Sequence, residues 1–251
     1  MIIMDPYRLL LSCIDLTSLE GSDNADRILD LCHKASSFGD AGLPLPAAVC
    51  VYPVFAGLAS STLKGTGIRV ASVAGAFPGG QSPVALRLEE VRYAVNEGAD
   101  EIDMVISRGR LLQGDENFVF DEIAAVREVC KNTLLKVILE TGELISYNLI
   151  RKASEIAITA GADFLKTSTG KIQPAASLEA TEIMLEVIRK DYETTGRKTG
   201  IKPAGGIKDP DEALKYFQLT ERILGSGWLN KDLFRIGASR LADALAMKIQ
   251  S

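Results

Sequence analysis

A single histidine, His33, stands in the chain, and that scarcity makes a Ser-His-Asp relay or a histidine-rich metal site a poor basis for function. The four cysteines, Cys13, Cys32, Cys50 and Cys130, are scattered with no CxxC pair. This offers no zinc-ligand spacing and reads as reduced, mostly buried thiols. The formal net charge is −5, which leaves no basic footprint for nucleic acid. The longest nearly apolar run, 47–59, contains Pro53 and is too short to cross a bilayer. The opening residues lack a basic n-region, and Asp5-Pro6 reads instead as a helix cap with a first-turn proline, so no secretory leader is expected. P-loop, dinucleotide and H-E-x-x-H patterns are missing as well. Acid-base work is therefore expected of Lys, Asp, Glu, Tyr or bound water, without metal or cofactor, in a cytoplasmic protein that engages neither nucleic acid nor membrane.

What is present is an ordinary globular composition, 47% hydrophobic and 24% charged over 251 residues. Short β-like runs alternate with longer stretches of helical period, the pattern of parallel βα units. Strands are expected near 47–52, 68–73, 101–106, 134–140, 164–167, 200–202, 222–224 and 234–237. Two helices, near 6–11 and 23–37, would precede the first strand. Ser82-Pro83 and Asp209-Pro210 each set a capping side chain before a proline, and Ser177 opens an acidic first turn at Glu179. The seventh unit is weak, because too few residues follow Leu224 for a crossover helix. No composition shift marks a boundary. The expected architecture is α/β, a single TIM (β/α)8 barrel domain over 1–251 with extra N-terminal helices before strand 1.

Three lysines occupy strand-like segments: Lys136, Lys166 and Lys202. Lysine is among the residues least often buried without a partner, so their presence there asks for a reason. The intervals between them match one strand-plus-helix unit each, which sets Lys166 and Lys202 on adjacent parallel strands about 4.8 Å apart. A free lysine amine, with a pKa of ~10.4, is unprotonated about once in 2,500 molecules at neutral pH. A second ammonium at about 4 Å costs on the order of 4 kcal/mol at an effective dielectric constant of ~20, enough to release the proton. Desolvation beside another cation is the recognised way to a Schiff-base lysine. Alternation along the 101–106 run places Asp103 on one face with Glu101 and Val105, where its carboxylate would meet the lysines.

Anion binding has its own candidates. Thr169-Gly170-Lys171, Ala204-Gly205-Gly206 and Gly237-Ala238-Ser239 each follow a strand-like run. Glycines let backbone N–H groups converge on an anion, and phosphate sites of barrels favour the loops after the last strands.

Together these segments resemble the deoxyribose-phosphate aldolase family of Schiff-base-forming barrel lyases. The resemblance runs from about Ile14 to Ala244 through Ile14-Asp-Leu-Thr17, Val49-Cys-Val-Tyr-Pro53, Gly98-Ala-Asp-Glu-Ile-Asp103, Leu135-Lys-Val-Ile-Leu-Glu-Thr-Gly142, Gly161-Ala-Asp-Phe-Leu-Lys-Thr-Ser-Thr-Gly170, Lys202-Pro-Ala-Gly-Gly206 and Arg235-Ile-Gly-Ala-Ser239. It implies Lys166 as the Schiff-base amine, Lys202 as the cation that lowers its pKa, and Asp103 with an ordered water as the proton carrier. Lys136 would support that network and Asp15 would orient it. Cys50 would line the substrate cavity. Thr169, Gly170, Lys171, Gly205, Gly206, Gly237 and Ser239 would hold a phosphate. The implied reaction is reversible cleavage of 2-deoxy-D-ribose 5-phosphate to D-glyceraldehyde 3-phosphate and acetaldehyde, a step of deoxyribonucleotide catabolism, in a homo-oligomer, dimer or tetramer. Two features depart from the family pattern. The sequence ends at Gln250-Ser251, without the terminal tyrosine that assists proton exchange in some members, and position 240 is arginine where a small residue is frequent. The alternatives are another phosphosugar aldolase, a phosphate-binding barrel isomerase or a silent sugar-phosphate sensor.

Overall fold

Asp5 accepts a hydrogen bond from the Tyr7 N–H and Pro6 takes the first turn, which starts α1 (Pro6–Ser12). The structure, a computed structural model, describes residues 5–144 and 146–251. Residues 1–4, where no leader is expected, and residue 145 lie outside the described residues. The chain continues as β1 (Ile14–Thr17), α2 (Ala25–Asp40), β2 (Ala48–Val51), α3 (Ala56–Thr62), β3 (Arg69–Ala74), α4 (Val84–Asn96) and β4 (Glu101–Val105). Two helices, α5 (Arg108–Leu112) and α6 (Glu116–Cys130), then lead to β5 (Leu134–Ile138), α7 (Tyr147–Thr159) and β6 (Phe164–Lys166). The last elements are α8 (Leu178–Thr195), β7 (Gly200–Lys202), α9 (Pro210–Leu224), β8 (Ile236–Ala238) and α10 (Leu241–Gln250).

The eight strands pair in parallel in the order β7-β6-β5-β4-β3-β2-β1-β8. Bridges from Ile201 to Phe234 and from Ala204 to Gly237 join the two ends, so the sheet closes into the expected single barrel. Strand alternation splits the apolar residues into two populations. Ile102, Met104, Leu135 and Val137 face outward into the main core beneath the helices, whereas Ala48, Cys50, Ala71 and Val73 form a small cluster with Leu19. Register puts Cys50 opposite Ala71, Val73 opposite Asp103 and Asp103 opposite Lys136, and register partners on neighbouring strands share a face. The barrel interior is therefore apolar and small along β2 and β3, and elsewhere combines buried ionic side chains with Val105, Ile138 and Phe164. Gly200 leaves room for the ring of Phe164 inside the barrel: a Cβ there would lie 2.4 Å from it.

Two expectations are corrected. The segment 222–224 is not a strand but the last turn of α9, whose buried face includes Ala213, Tyr216, Phe217 and Leu219, and which ends at Gly225 with φ +84°. The missing strand is β1, so one helix and not two precedes the first strand, and α2 is the β1–β2 crossover. β1 has four residues, one of them a buried aspartate, too few for alternation to register. With the strands renumbered, α9 is the crossover helix that the seventh unit seemed to lack. Asp209 caps α9 and Ser177 caps α8 as expected. Ser82 does not cap α4; its carbonyl accepts the Arg87 Nε–H instead. No described helix is long and apolar enough to cross a membrane.

Candidate active site

Lys166 and Lys202 end β6 and β7 and are direct register partners. Both point inward and donate to one oxygen: Lys166 Nζ lies 2.7 Å and Lys202 Nζ 2.6 Å from Asp103 Oδ2. Lys202 also donates to Asp15 Oδ2 at 2.5 Å. Lys136, on β5, reaches Asp103 Oδ1 at 2.6 Å and Glu101 Oε2 at 2.5 Å. Beneath them Arg235 donates to Asp15 Oδ1 at 2.5 Å and to Glu101 Oε1 at 2.6 Å. Gly237 makes space here, since a Cβ would come within 3.2 Å of Lys202 Cε and 2.9 Å of Ala204 Cβ.

The buried cluster thus holds four basic groups, Lys136, Lys166, Lys202 and Arg235, against three carboxylates, Asp15, Glu101 and Asp103; the partly exposed Arg69 also reaches Glu101 at 3.3 Å but is balanced by its own partner Asp232 at 2.8 Å. Buried charges are tolerated when paired. One cation is in surplus, and removing the proton from a single amine balances the set. Burial lowers the pKa of Lys166; the Asp103 carboxylate opposes this and the Lys202 ammonium reinforces it, with a net shift downward. Burial also disfavours charge on Lys202, but Asp103 and Asp15 outweigh it and drive its pKa up. Lys136 is raised in the same way, by Asp103 and Glu101. Asp103 is pulled up by burial and far down by its three ammonium neighbours, so its carboxyl stays ionised. Lys166 is the one amine of this group driven toward its free base, and burial contributes more to that than the neighbouring lysine does.

Lys166 also lines a cavity of about 380 Å³. Thr169, Gly170, Lys171, Gly205, Gly206, Gly237 and Ser239 line the same cavity, so the structure brings the candidate nucleophile and all the anion-loop candidates into one space. The sequence reading had not assigned Thr17, Glu20, Gln173 or Lys208 to it, and Arg240 also lines the wall. Gly205 has φ +86°, and a Cβ there would lie 2.7 Å from Ala175 Cβ and 2.8 Å from Gly170 Cα. Two loop donors are engaged within the protein: the Thr169 N–H goes to Glu140 Oε1 at 3.1 Å and the Lys171 N–H to Thr169 Oγ1 at 3.1 Å. Lys171 Nζ pairs with Glu20 at 3.1 Å across the cavity.

Cys50 is fully buried in the interior apolar cluster, close enough to Lys202, Asp103 and Lys166 to feel their charges, and burial pushes its thiol pKa up. Lys136, Asp15 and Asp103 are likewise sealed beneath the cavity at 0% exposure, whereas Lys166 is 3% exposed. Glu101 and Arg235 were missed as partners. Alternation put Glu101 on the Asp103 face, and Arg235 stood in a recognised segment, but neither signal discloses a contact between opposite walls. Replacing Arg235 by methionine takes one cation from Asp15 and from Glu101, which keep Lys202 and Lys136, and a loss of about 2–3 kcal/mol in stability is expected. Urea unfolding checks this, and a loss under about 1 kcal/mol would contradict it. Among the described residues no group of three or more His, Cys, Asp or Glu side chains is arranged to hold a metal ion.

Comparison with known proteins adds an independent line. The sequence model of the DeoC/LacD family of aldolases matches residues 9–220. A Coccidioides immitis structure assigned as a deoxyribose-phosphate aldolase is 30% identical, with a TM-score of 0.84 over 98% of this chain and 87% of that one. A structure described as QR15, an aldolase, is 29% identical, with a TM-score of 0.78 and 96% of each chain covered. The Aeropyrum pernix deoxyribose phosphate aldolase, described as having a unique tetrameric structure, shares the fold at 24% identity and a TM-score of 0.77, over 98% of this chain and 93% of that one.

Proposed function

The chain belongs to the DeoC/LacD family of aldolases, and on that premise we propose that its substrate is 2-deoxy-D-ribose 5-phosphate, cleaved reversibly to D-glyceraldehyde 3-phosphate and acetaldehyde with Lys166 as the imine-forming amine. The observation that carries the reading is one cavity lined both by Lys166, whose pKa is lowered, and by the glycine loops.

The free Lys166 amine attacks the C1 aldehyde of the open-chain sugar. Protonation and loss of water from the carbinolamine give the imine. Withdrawal of the C3 hydroxyl proton then breaks the C2–C3 bond. Glyceraldehyde 3-phosphate leaves, and an enamine stays on Lys166. Protonation at C2 and addition of water release acetaldehyde and restore the amine. Asp103, hydrogen-bonded to Lys166 and shared with Lys136 and Lys202, is suited to carry these protons through a water molecule, and Asp15 fixes Lys202. Gly170, Lys171, Gly205, Gly206, Gly237 and Ser239 are assigned to the 5-phosphate end, with Thr169, whose N–H and hydroxyl both donate to Glu140, lining the same wall and Arg240 adding a positive charge to it. Cys50 is assigned to the reacting end, where Lys166, Lys202 and Asp103 act on it.

Incubation with acetaldehyde and borohydride, followed by peptide mass spectrometry, tests the assignment. An alkylated Lys166 is expected; no adduct, or one on another lysine, would favour the isomerase or move the chemistry elsewhere. A second test addresses the phosphate end. Gly205→Ala forces a side chain into a left-handed backbone and against the Gly170 loop, a strain of about 1–2 kcal/mol. KM for the phosphorylated sugar is expected to rise about tenfold, with acetaldehyde trapping retained. A cytoplasmic location and a dimeric or tetrameric assembly complete the reading, and light scattering of the purified protein decides the latter.

A further inference from the structure

Glu140 is buried at 0% exposure two residues beyond β5, with a left-handed φ of +57°. Residues with side chains adopt that conformation uncommonly, and backbone strain collects at functional sites. Both of its side-chain hydrogen bonds go to Thr169: Oε1 accepts the N–H at 3.1 Å and Oε2 accepts the hydroxyl at 2.5 Å. No lysine or arginine pairs with it among the described residues. The catalytic scheme makes no use of this acid.

The geometry gives it one consequence. With its proton committed to Glu140, the Thr169 hydroxyl turns its oxygen to the Lys171 N–H at 3.1 Å. The turn from Thr169 to Lys171 is thereby fixed at both ends, and Gly170 between them is held at φ +79° on the cavity wall. The segment carrying Glu140 is itself pinned to the loop after β6. The Thr141 N–H donates to Thr167 O at 2.9 Å, and Gly142 packs so closely on Pro174 that a Cβ would fall 1.9 Å from its carbonyl oxygen. A substrate touching the turn would meet a preformed surface and would not have to order it.

We propose that Glu140 is a positioning residue that, through Thr169, holds the 169–171 turn in its anion-binding shape and so sets the preference for phosphorylated over unphosphorylated aldose substrates. The inference rests on the phosphate-end assignment above. Glutamine at 140 keeps the volume but offers one acceptor oxygen where Thr169 needs two. For Glu140→Gln, KM for 2-deoxyribose 5-phosphate is expected to rise about tenfold, the scale of one lost hydrogen bond to a charged group, while kcat moves much less. The Kd for inorganic phosphate, measured by calorimetry, should weaken by a similar factor. KM for 2-deoxyribose should hardly change. Because Glu140 acts through Thr169, the double variant Glu140→Gln, Thr169→Val should bind phosphate no more weakly than the worse single variant. Equal losses on both sugars, a fall in kcat at constant KM, or additive effects in the double variant would each overturn the proposal. If Glu140→Gln does not fold, Thr169→Val alone must still weaken phosphate binding. Failure of the wider functional reading would show differently, as wild-type protein that neither cleaves the phosphorylated sugar nor forms an adduct at Lys166.

Discussion

Lys166→Leu is expected to lose aldol cleavage by about 10⁴-fold or more and to lose acetaldehyde trapping entirely, while the fold holds. The second half of that expectation comes from the ion cluster. Lys166 is the surplus base among four, and leucine leaves Lys136, Lys202 and Arg235 facing Asp15, Glu101 and Asp103. Asp103 keeps two ammonium partners, at 2.6 Å each. The urea midpoint should therefore match or exceed that of the parent protein. Retained cleavage would refute the assignment of the nucleophile, and a collapsed fold would refute the view that this amine is the dispensable charge.

Lys202→Leu acts in the opposite sense. Its removal strips Asp15 and Asp103 of a shared cation, and Lys166 becomes the counter-ion that the three carboxylates require. Only the free amine attacks, so the acid limb of the pH profile follows the pKa of Lys166. That pKa is lowered first by burial and then by Lys202, against the pull of Asp103. Losing the cation while keeping the carboxylate raises it, and the limb moves to higher pH. A fall in kcat/KM of about 10²–10⁴-fold near neutral pH is expected, with partial recovery in alkaline buffer. A limb that stays in place or moves down would show that Lys202 serves some other purpose.

The contrast between these two lysines explains how much of the site was legible in the amino-acid order. Lys166 and Lys202 were found because each ends a short strand one βα unit from the next, and parallel register makes such residues neighbours. Asp103 followed from alternation. Arg235 and Glu101 did not, because their contact joins opposite walls of a closed barrel, and that depends on side-chain length and tilt, not on spacing. β1 was missed for another reason: Ile14 and Leu16 alternate with Asp15 and Thr17, but four residues are too few for that period to stand out. Ile223 and Leu224 misled in turn, being a short apolar pair that serves as the last turn of an amphipathic helix. The packing of Cys50 with Ala71 and Val73 was not legible, because it follows from register between β2 and β3. The glycine loops were legible as loops; that Thr169 hands two donors to Glu140 was not, because the pairing depends on a left-handed residue after β5.

The four-to-three composition of the buried cluster also bears on what happens after attack. On the proposed assignment, a protonated imine fixes a positive charge on the Lys166 nitrogen, in an interior that already disfavours charge there. The intermediate is thus electrostatically overloaded from the moment it forms, and electrons drawn from the C2–C3 bond into the nitrogen relieve the load by making the enamine. On that assignment, the same surroundings that lower the pKa of the resting amine favour passing the imine's charge into the enamine by C2–C3 cleavage.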